Sequence, residues 1–547
     1  MKLVAGIDIG NSTTEIVISN GAEPIAWDRR PTRGIKGSEA SVKAALSLLQ
    51  NIEREHNIVA AQVSVAPWNP VETLTSTIHE PLPNTGKLQI IKTAHQSVVG
   101  DGWVVGQPWL ITGEIETNST AIAIVPTGTG YEVAANRINQ VITQGAHIVG
   151  VVVADDEAVL IGKRVNGNLL VVDGADIASA LSARKLFLEV RQQSTTVQAA
   201  TDVWALRAAL ELTEEEAEPL SEIVRWVRND RTVLIGLFNE SKNSIEIQNG
   251  SVTWRDGTTQ DLFDAVGEIS NSKIGDIAQV NIPDAVLTSD VWVFDITKVL
   301  ADRGLRQVGH TRDLALAQLA AASIETPSDL SEIFGVPVVV AQSEAHAAKL
   351  GAQSTPGLAK DAVVLDIGGG TIDLISTIEL SAAGAGELLT AAVAFALDTS
   401  RGAADWIKRG PAQRLESPHV LLAEDGSKAF ADESKPYPAS AMGSLIAPGP
   451  AGYLTFGQNL QPAEWRIMRQ ALKQTAIGAN VARLIRSISD HEITTAGLNL
   501  VVVGGPAADD ELIPILSQVP GITAIGRGNV AGKLGHRYAV AYGLSQL

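Results

Sequence analysis

The chain has 547 residues, no cysteine, and 61 Asp and Glu against 42 Lys and Arg, giving a formal charge of −19. Its length suits about three or four domains, and so acidic a chain excludes wrapping nucleic acid or an anionic membrane, whose phosphates it would repel. The absence of thiols excludes disulfides, zinc–thiolate sites, a Cys nucleophile and a self-ligated iron–sulfur cluster.

The opening Met1-Lys2-Leu3-Val4-Ala5-Gly6-Ile7-Asp8 is too short an apolar run for a signal peptide. No stretch reaches the roughly 18 apolar residues of a membrane span, so the expectation is a cytoplasmic protein without a membrane partner. Residues 38–56 read as a helix N-capped by Ser38, and Gln62–Ala66 as a strand. Pro67, Pro70, Pro81 and Pro83 then mark a boundary. Beyond it, Ala121–Val125 reads as a strand, Thr127–Gly130 as a turn, Tyr131–Gln144 as a helix and His147–Ala154 as a strand. Val159–Arg164 and Leu169–Val172 read as a hairpin about Asn166-Gly167.

Residues 179–230 read as helical and acidic, and 231–300 as strands with a hairpin around Arg255-Asp256-Gly257. Residues 312–323 and 344–352 read as helices, 362–368 as a strand and 410–460 as loop. Residues 464–490 read as one long helix with a basic face of Arg466, Arg469, Lys473, Arg483 and Arg486.

Three apolar runs end in glycine turns. Asp8-Ile9-Gly10-Asn11-Ser12-Thr13 delivers a carboxylate, removes a side chain at the turn, and adds three small hydrogen-bonding residues. Such a turn offers backbone N–H groups to phosphate oxygens, while the carboxylate acts through Mg²⁺ or its water shell. The alternative is an ordinary strand–turn hairpin. In Asp366-Ile367-Gly368-Gly369-Gly370-Thr371-Ile372-Asp373, three consecutive glycines cost folding entropy and call for a close backbone approach such as a phosphate cradle. Asp366 is placed to hold metal-bound water or orient an attacking water. Gly504-Gly505-Pro506 lets a flat adenine or ribose lie against the backbone. Lys36, in Gly34-Ile35-Lys36-Gly37, reads first as a surface turn lysine, with a phosphate ligand as the alternative.

The order of the three motifs resembles the phosphate-one, phosphate-two and adenosine motifs of actin, sugar kinases and the seventy-kilodalton heat-shock chaperones. The resemblance implies an α/β, actin-like ATPase fold. Two small-residue helices, Glu344–Ala352 and Ala539–Leu544, match its connecting helices, which cross closely where the lobes hinge. A narrower resemblance is to the large subunit of diol dehydratase reactivase. It rests on Ala5–Glu15, Gly34–Ser38, Gly150–Asp156, Glu344–Ala348, Thr355-Pro356-Gly357 and Gly526–Val530 with Gly532.

That resemblance implies a split ATPase domain over 1–87 and 301–547, a swivelling α/β module over 88–180, and a linker with return to the ATPase domain over 181–300. It implies ATP/ADP and Mg²⁺ as cofactors. Asp8 and Asp366 would be catalytic, with nucleotide contacts at Asn11, Ser12, Thr13, Gly368, Gly369, Gly370, Thr371, Gly504, Gly505 and Lys533. A magnesium site in the module would fall on Asp155, Asp173 and Ser97; Asp155 and Asp173 also read as solvated turn acids. The implied activity is ATP-dependent release of damaged cobalamin from an adenosylcobalamin-dependent diol or glycerol dehydratase. The implied partner is a small reactivase subunit in a heterotetramer. Alternatives within the fold are a small-molecule kinase and a nucleotide-switched interaction or filament protein. The iron–sulfur activators of the same fold are excluded by the missing thiols.

Overall fold

The computed structural model describes residues 3–547 apart from 68–70, 81–84, 95–98, 116–118, 156, 193–194, 229, 241–249, 283–287, 306–311, 322–326, 328, 432–436, 451, 459 and 489–496. The chain divides into two compact units, Met1–His79 with Gln248–Arg306 and Arg312–Leu547, and Glu80–Ile247 with Gln307–Thr311.

The first unit uses one sheet design twice. Strand β1 (Val4–Ile9) pairs antiparallel with β2 (Thr13–Asn20), which pairs antiparallel with β3 (Glu23–Pro31). On the other side of β1, β4 (Gln62–Val65) and then β5 (Val338–Val340) add in parallel. In the second sheet β6 (Val363–Ile367), β7 (Thr371–Ile375) and β8 (Glu379–Ala383) form the antiparallel meander. There β9 (Leu498–Val503) and β10 (Ile522–Arg527) supply the parallel side. On the parallel sides β4 is buried throughout and β9 buries all but Asn499, whereas the edge strand β10 stays largely exposed.

Helix α1 (Glu39–His56) begins where the Ser38 hydroxyl accepts the Ser41 N–H. It buries Val42, Ala45, Leu48, Leu49 and Ile52, one helical face, in the first sheet's core. Helices α2 (Glu344–Gln353), α3 (Gly386–Leu397) and α4 (Ala539–Ser545) frame the sheets. Helices α2 and α4 cross backbone to backbone: a Cβ at Gly351 would collide with the Ala539 carbonyl, and one at Gly543 with the Ala347 carbonyl. Their small-residue sequences are what allow this crossing.

Three expectations for this unit are corrected. Residues 312–323 are not a helix: Asp313–Ala321 is a central strand between Thr288–Asp295 and Val71–His79. Leu314, Ala315, Leu316 and Ala317 are fully buried, and partners on both edges override the helical preference of an Ala/Leu-rich run. Residues 410–460 are not loop but a five-stranded antiparallel sheet from Gln413–Ser417 to Gly452–Phe456. Its glycines and prolines fall largely at turns and strand ends. The long helix is interrupted, Pro462–Lys473 and Ala479–Ile488 being joined by a π-turn over Gln474–Gly478. Its basic face is largely inside. Arg469 binds Glu424 and Glu511, Lys473 binds Asp509 and Glu511, and Arg483 binds Asp290. Pairing is what makes such charges tolerable in a core.

The second unit is built on a seven-stranded mixed sheet. Its strand order is Leu170–Val172, His147–Val153, Thr120–Val125, Gly102–Leu110, Lys185–Val190, Thr232–Leu237, Leu88–Ala94. It therefore runs well past residue 180. Residues 185–190 are a strand rather than helix, because Leu186, Phe187 and Leu188 are buried together between antiparallel neighbours. The 159–172 hairpin is also corrected. Ala158–Gly162 is a short helix burying Ala158 and Ile161, and Leu170–Val172 pairs in parallel with His147–Val153, which requires a crossover. Among the described residues no helix is long and apolar enough to cross a membrane.

Candidate functional site

Each of the two matching sheets of the first unit carries a glycine hairpin at the same position. In the first, the Gly10 N–H closes on the Thr13 carbonyl at 3.0 Å; in the second, the Gly368 N–H closes on the Thr371 carbonyl at 2.9 Å. The registers also correspond. Asp8 lies directly opposite Glu15, and Asp366 directly opposite Asp373. Directly opposed residues share a sheet face, so each hairpin sets two acids side by side, an arrangement that destabilises a sheet by itself.

Both hairpins face one cleft of about 1000 Å³. Asp8, Asn11, Ser12, Thr13, Asp366, Gly368, Gly369, Gly370, Thr371, Gly504 and Gly505 all line it. Tight packing explains the glycines: a Cβ at Gly369 would lie 2.6 Å from the Ser12 hydroxyl, and one at Gly504 would meet the Ile367 carbonyl and Asp366 Oδ1.

The cleft floor is strongly acidic and poorly hydrated. Desolvation pushes Asp366 up to about 8, with repulsion from Asp373 and Glu344 adding to it. Asp373 rises to about 6 for the same first reason, although hydroxyl bonds from Ser381 and Thr371 favour its charged form. Asp8 is raised well above the usual carboxylate range by desolvation and then by Glu344, with Lys36 opposing. Its Oδ1 is buried and has no hydrogen-bond partner among the described residues. Carboxylates held this way are poised to receive a cation. Among the described residues no three acidic or imidazole side chains are grouped closely enough to ligate a metal directly. Mg²⁺ keeps several waters and takes one or two carboxylates plus substrate phosphate. Asp8 and Asp366 are the residues that would hold it.

Several lining residues escaped the sequence reading. Lys36 is no surface lysine: its side chain is only 12% exposed and its ammonium pairs with Glu344 at 2.5 Å. Burial opposes its charge, yet Glu344 and Asp8 hold its pKa above the ordinary value. Arg401, Asp405, Lys408 and Arg409 follow α3 and line another wall. Pro506, Ala508, Leu512 and Ile477 make an apolar flank beside Gly504-Gly505. Glu387, at the start of α3, and Arg537, just before α4, complete the lining. Only the Gly-Ile-Lys-Gly turn gave Lys36 a sequence signal; the others are placed by tertiary packing.

Residues 270–547 match the family described as diol dehydratase reactivase ATPase-like domain, and residues 92–236 match the DD-reactivating factor swiveling domain. The chain belongs to the diol dehydratase reactivase family. It is 25% identical to the propanediol dehydratase-reactivating factor large subunit of Salmonella typhimurium, across 100% of this chain and 98% of that one. Identity and coverage are the same with the diol dehydratase-reactivating factor large subunit of Klebsiella michiganensis. Among solved structures, a diol dehydratase-reactivating factor in nucleotide-free form superposes with a TM-score of 0.59 at 21% identity, covering 100% and 99% of the two chains. A glycerol dehydratase reactivase gives 0.58 at 19%, covering 99% of each. The fold is thus the reactivase fold, and the second hairpin sheet lies within its ATPase-like domain.

In this reactivase-family chain the remaining expected residues lie elsewhere. Lys533 does not line the cleft; its ammonium sits 3.9 Å from Glu23 and 5.9 Å from the centre of the Trp27 ring. In the second unit, Asp155 accepts the Gly128 N–H at 2.7 Å, and the Asp173 carbonyl accepts from the Lys92 ammonium. Ser97 lies outside the described residues. Among the described residues of this unit no three acidic or imidazole side chains are grouped to hold a metal, and Asp155 caps the turn at Gly128.

Proposed function

We propose that the chain is an ATP-dependent reactivating factor that releases damaged cobalamin from an adenosylcobalamin-dependent diol or glycerol dehydratase. Membership of the reactivase family and full-length similarity to the large subunits support this reading. The observation that carries it is the pair of acid-bearing glycine hairpins facing one cleft. The Asn11–Thr13 and Gly368–Thr371 turns hold the phosphates of ATP or ADP, and Gly504-Gly505 with its apolar flank holds adenosine. Mg²⁺, when bound, neutralises charge on the phosphates. Asp8 and Asp366 would hold it, and Asp366 would orient the attacking water. Lys36, held by Glu344, adds the positive charge that phosphoryl transfer needs. The relatives' description as large subunits supports a small-subunit partner here as well, and the working place is the cytoplasm.

The test is to incubate a glycerol or diol dehydratase carrying damaged cobalamin with the chain, a small reactivase subunit, Mg²⁺, ATP and intact adenosylcobalamin. Recovery of dehydratase activity that requires ATP is expected. No recovery, or equal recovery without nucleotide, would overturn the reading.

A further inference from the structure

Glu387 stands where a negative charge is least expected. It lines the cleft whose two turns are read as phosphate cradles, and it stands over one of them. Its backbone N–H donates to the Gly369 carbonyl at 2.7 Å, and the preceding Gly386 N–H donates to the Gly368 carbonyl at 3.3 Å. The Lys408 ammonium fixes this same first turn of α3. It donates to the Gly386 carbonyl at 2.7 Å and the Thr390 hydroxyl at 2.5 Å, and pairs with Asp405 at 2.8 Å. Glu387 is therefore tied to the second hairpin. An acid in the first turn of a helix is favourable in itself, but its carboxylate is turned to another use. Glu387 Oε1 accepts from the hydroxyl of Ser12, on the first hairpin, at 2.9 Å. A Cβ at Gly369 would lie 2.6 Å from that hydroxyl and 3.3 Å from Glu387 Oε1, so the hydrogen bond spans the glycine turn itself.

We propose that the Ser12–Glu387 hydrogen bond is a clasp joining the two glycine hairpins, which a phosphoryl group bridging both turns has to open. Glu387 is thereby a specificity-determining residue that sets the preference between nucleoside triphosphate and diphosphate. The proposal rests on the nucleotide reading above. A terminal phosphoryl group placed between the turns competes with the carboxylate for Ser12 and is repelled by it. A diphosphate lacks that terminal group and leaves the clasp closed. The charge then weakens triphosphate binding selectively and helps the protein return to its diphosphate state after hydrolysis.

The test is calorimetric titration of the full chain, with Mg²⁺, against a non-hydrolysable ATP analogue and against ADP, for wild type, Glu387→Gln and Ser12→Ala. Glu387→Gln keeps the side chain's size and an acceptor oxygen while removing the charge. It is expected to bind the analogue about tenfold tighter, with ADP within about twofold of wild type. Ser12→Ala, which opens the clasp but keeps the carboxylate, is expected to change the ratio of the two affinities less than Glu387→Gln does. An unchanged or weaker analogue affinity in Glu387→Gln, with normal ADP binding, would overturn the clasp. Equal tightening of both nucleotides would overturn it too, since it would mark a general effect on the site. Wild type that binds neither nucleotide would instead defeat the underlying nucleotide reading.

Discussion

The two hairpin sheets of the first unit share strand order, turn closure and the placement of an acid pair, yet they neutralise that pair differently. In the first, Asp8 faces the Lys36 ammonium, and Glu15 accepts the Tyr538 N–H at 3.0 Å with the Arg537 guanidinium at 3.4 Å. In the second, Asp373 has only hydroxyl donors, and Asp366 is pushed to about 8 by desolvation and its acidic neighbours. One frame thus yields a hairpin with Lys36 and Arg537 beside it and a hairpin whose Asp366 Lys36 reaches more weakly than it reaches Asp8.

The largest expected effect comes from removing either acid at the cleft floor. Asp8→Asn and Asp366→Asn should each slow steady-state phosphate release by about 10²–10³-fold, the usual loss when a preorganised electrostatic group is removed. Their stabilities should diverge. In the absence of nucleotide, Asp366→Asn should raise Tm above that of Asp8→Asn, because Lys36 offsets less of the repulsion at Asp366 than at Asp8. For a chain this long, each kcal/mol corresponds to about 2–4 °C or less. Equal Tm values in the two variants would erase the distinction between the hairpins.

Next in size is Lys36. Lys36→Met should lower phosphate release by about 10²-fold and Lys36→Arg by less, since only the second keeps a cation facing Glu344 and Asp8. Unchanged turnover in Lys36→Met would show that its charge serves structure alone.

The pH dependence follows with a definite sign. Asp366 rises from an ordinary 3.8 to about 8 and Asp373 to about 6 in the fold, so the folded chain binds more protons than the unfolded chain. Their contribution to stability therefore falls as pH rises between about 4 and 8, which thermal melts without Mg²⁺ should show. Mg²⁺–nucleotide affinity should climb over pH 6–8 as protons leave the same carboxylates. Asp366→Asn should flatten both curves. The smallest effect belongs to Arg537→Lys, whose contact with Glu15 is long and keeps a cation after the exchange. A stability change within about 0.5 kcal/mol is expected in a denaturant melt.

The glycine hairpins were legible in the sequence because their chemistry is local. A strand, an acid and a turn occupy some eight consecutive residues, and Ser38 announces the start of α1 in the same way. The crossing of α2 and α4 was legible too, since only small residues permit it. What remained hidden depends on partners distant in the chain. Asp313–Ala321 has the composition of a helix and becomes a strand because two edges claim it. Arg469 and Lys473 look like a solvent face and are drawn inside by Glu424, Asp509 and Glu511. Lys36 looks like a turn lysine until Glu344, 308 residues later, supplies its counter-charge. Glu387 and Lys408 enter the cleft because α3 packs back onto the Gly368–Thr371 turn.

The central claim is that the two acid-bearing hairpins jointly receive a Mg²⁺–nucleotide. It is tested most directly by the affinity of the chain for ADP with and without Mg²⁺, in wild type and in the double variant Asp8→Asn/Asp366→Asn. Mg²⁺ should tighten ADP binding at least about tenfold in wild type and by less than about twofold in the double variant. Wild-type affinity that does not change with Mg²⁺, or a double variant with the full metal effect, would contradict the account.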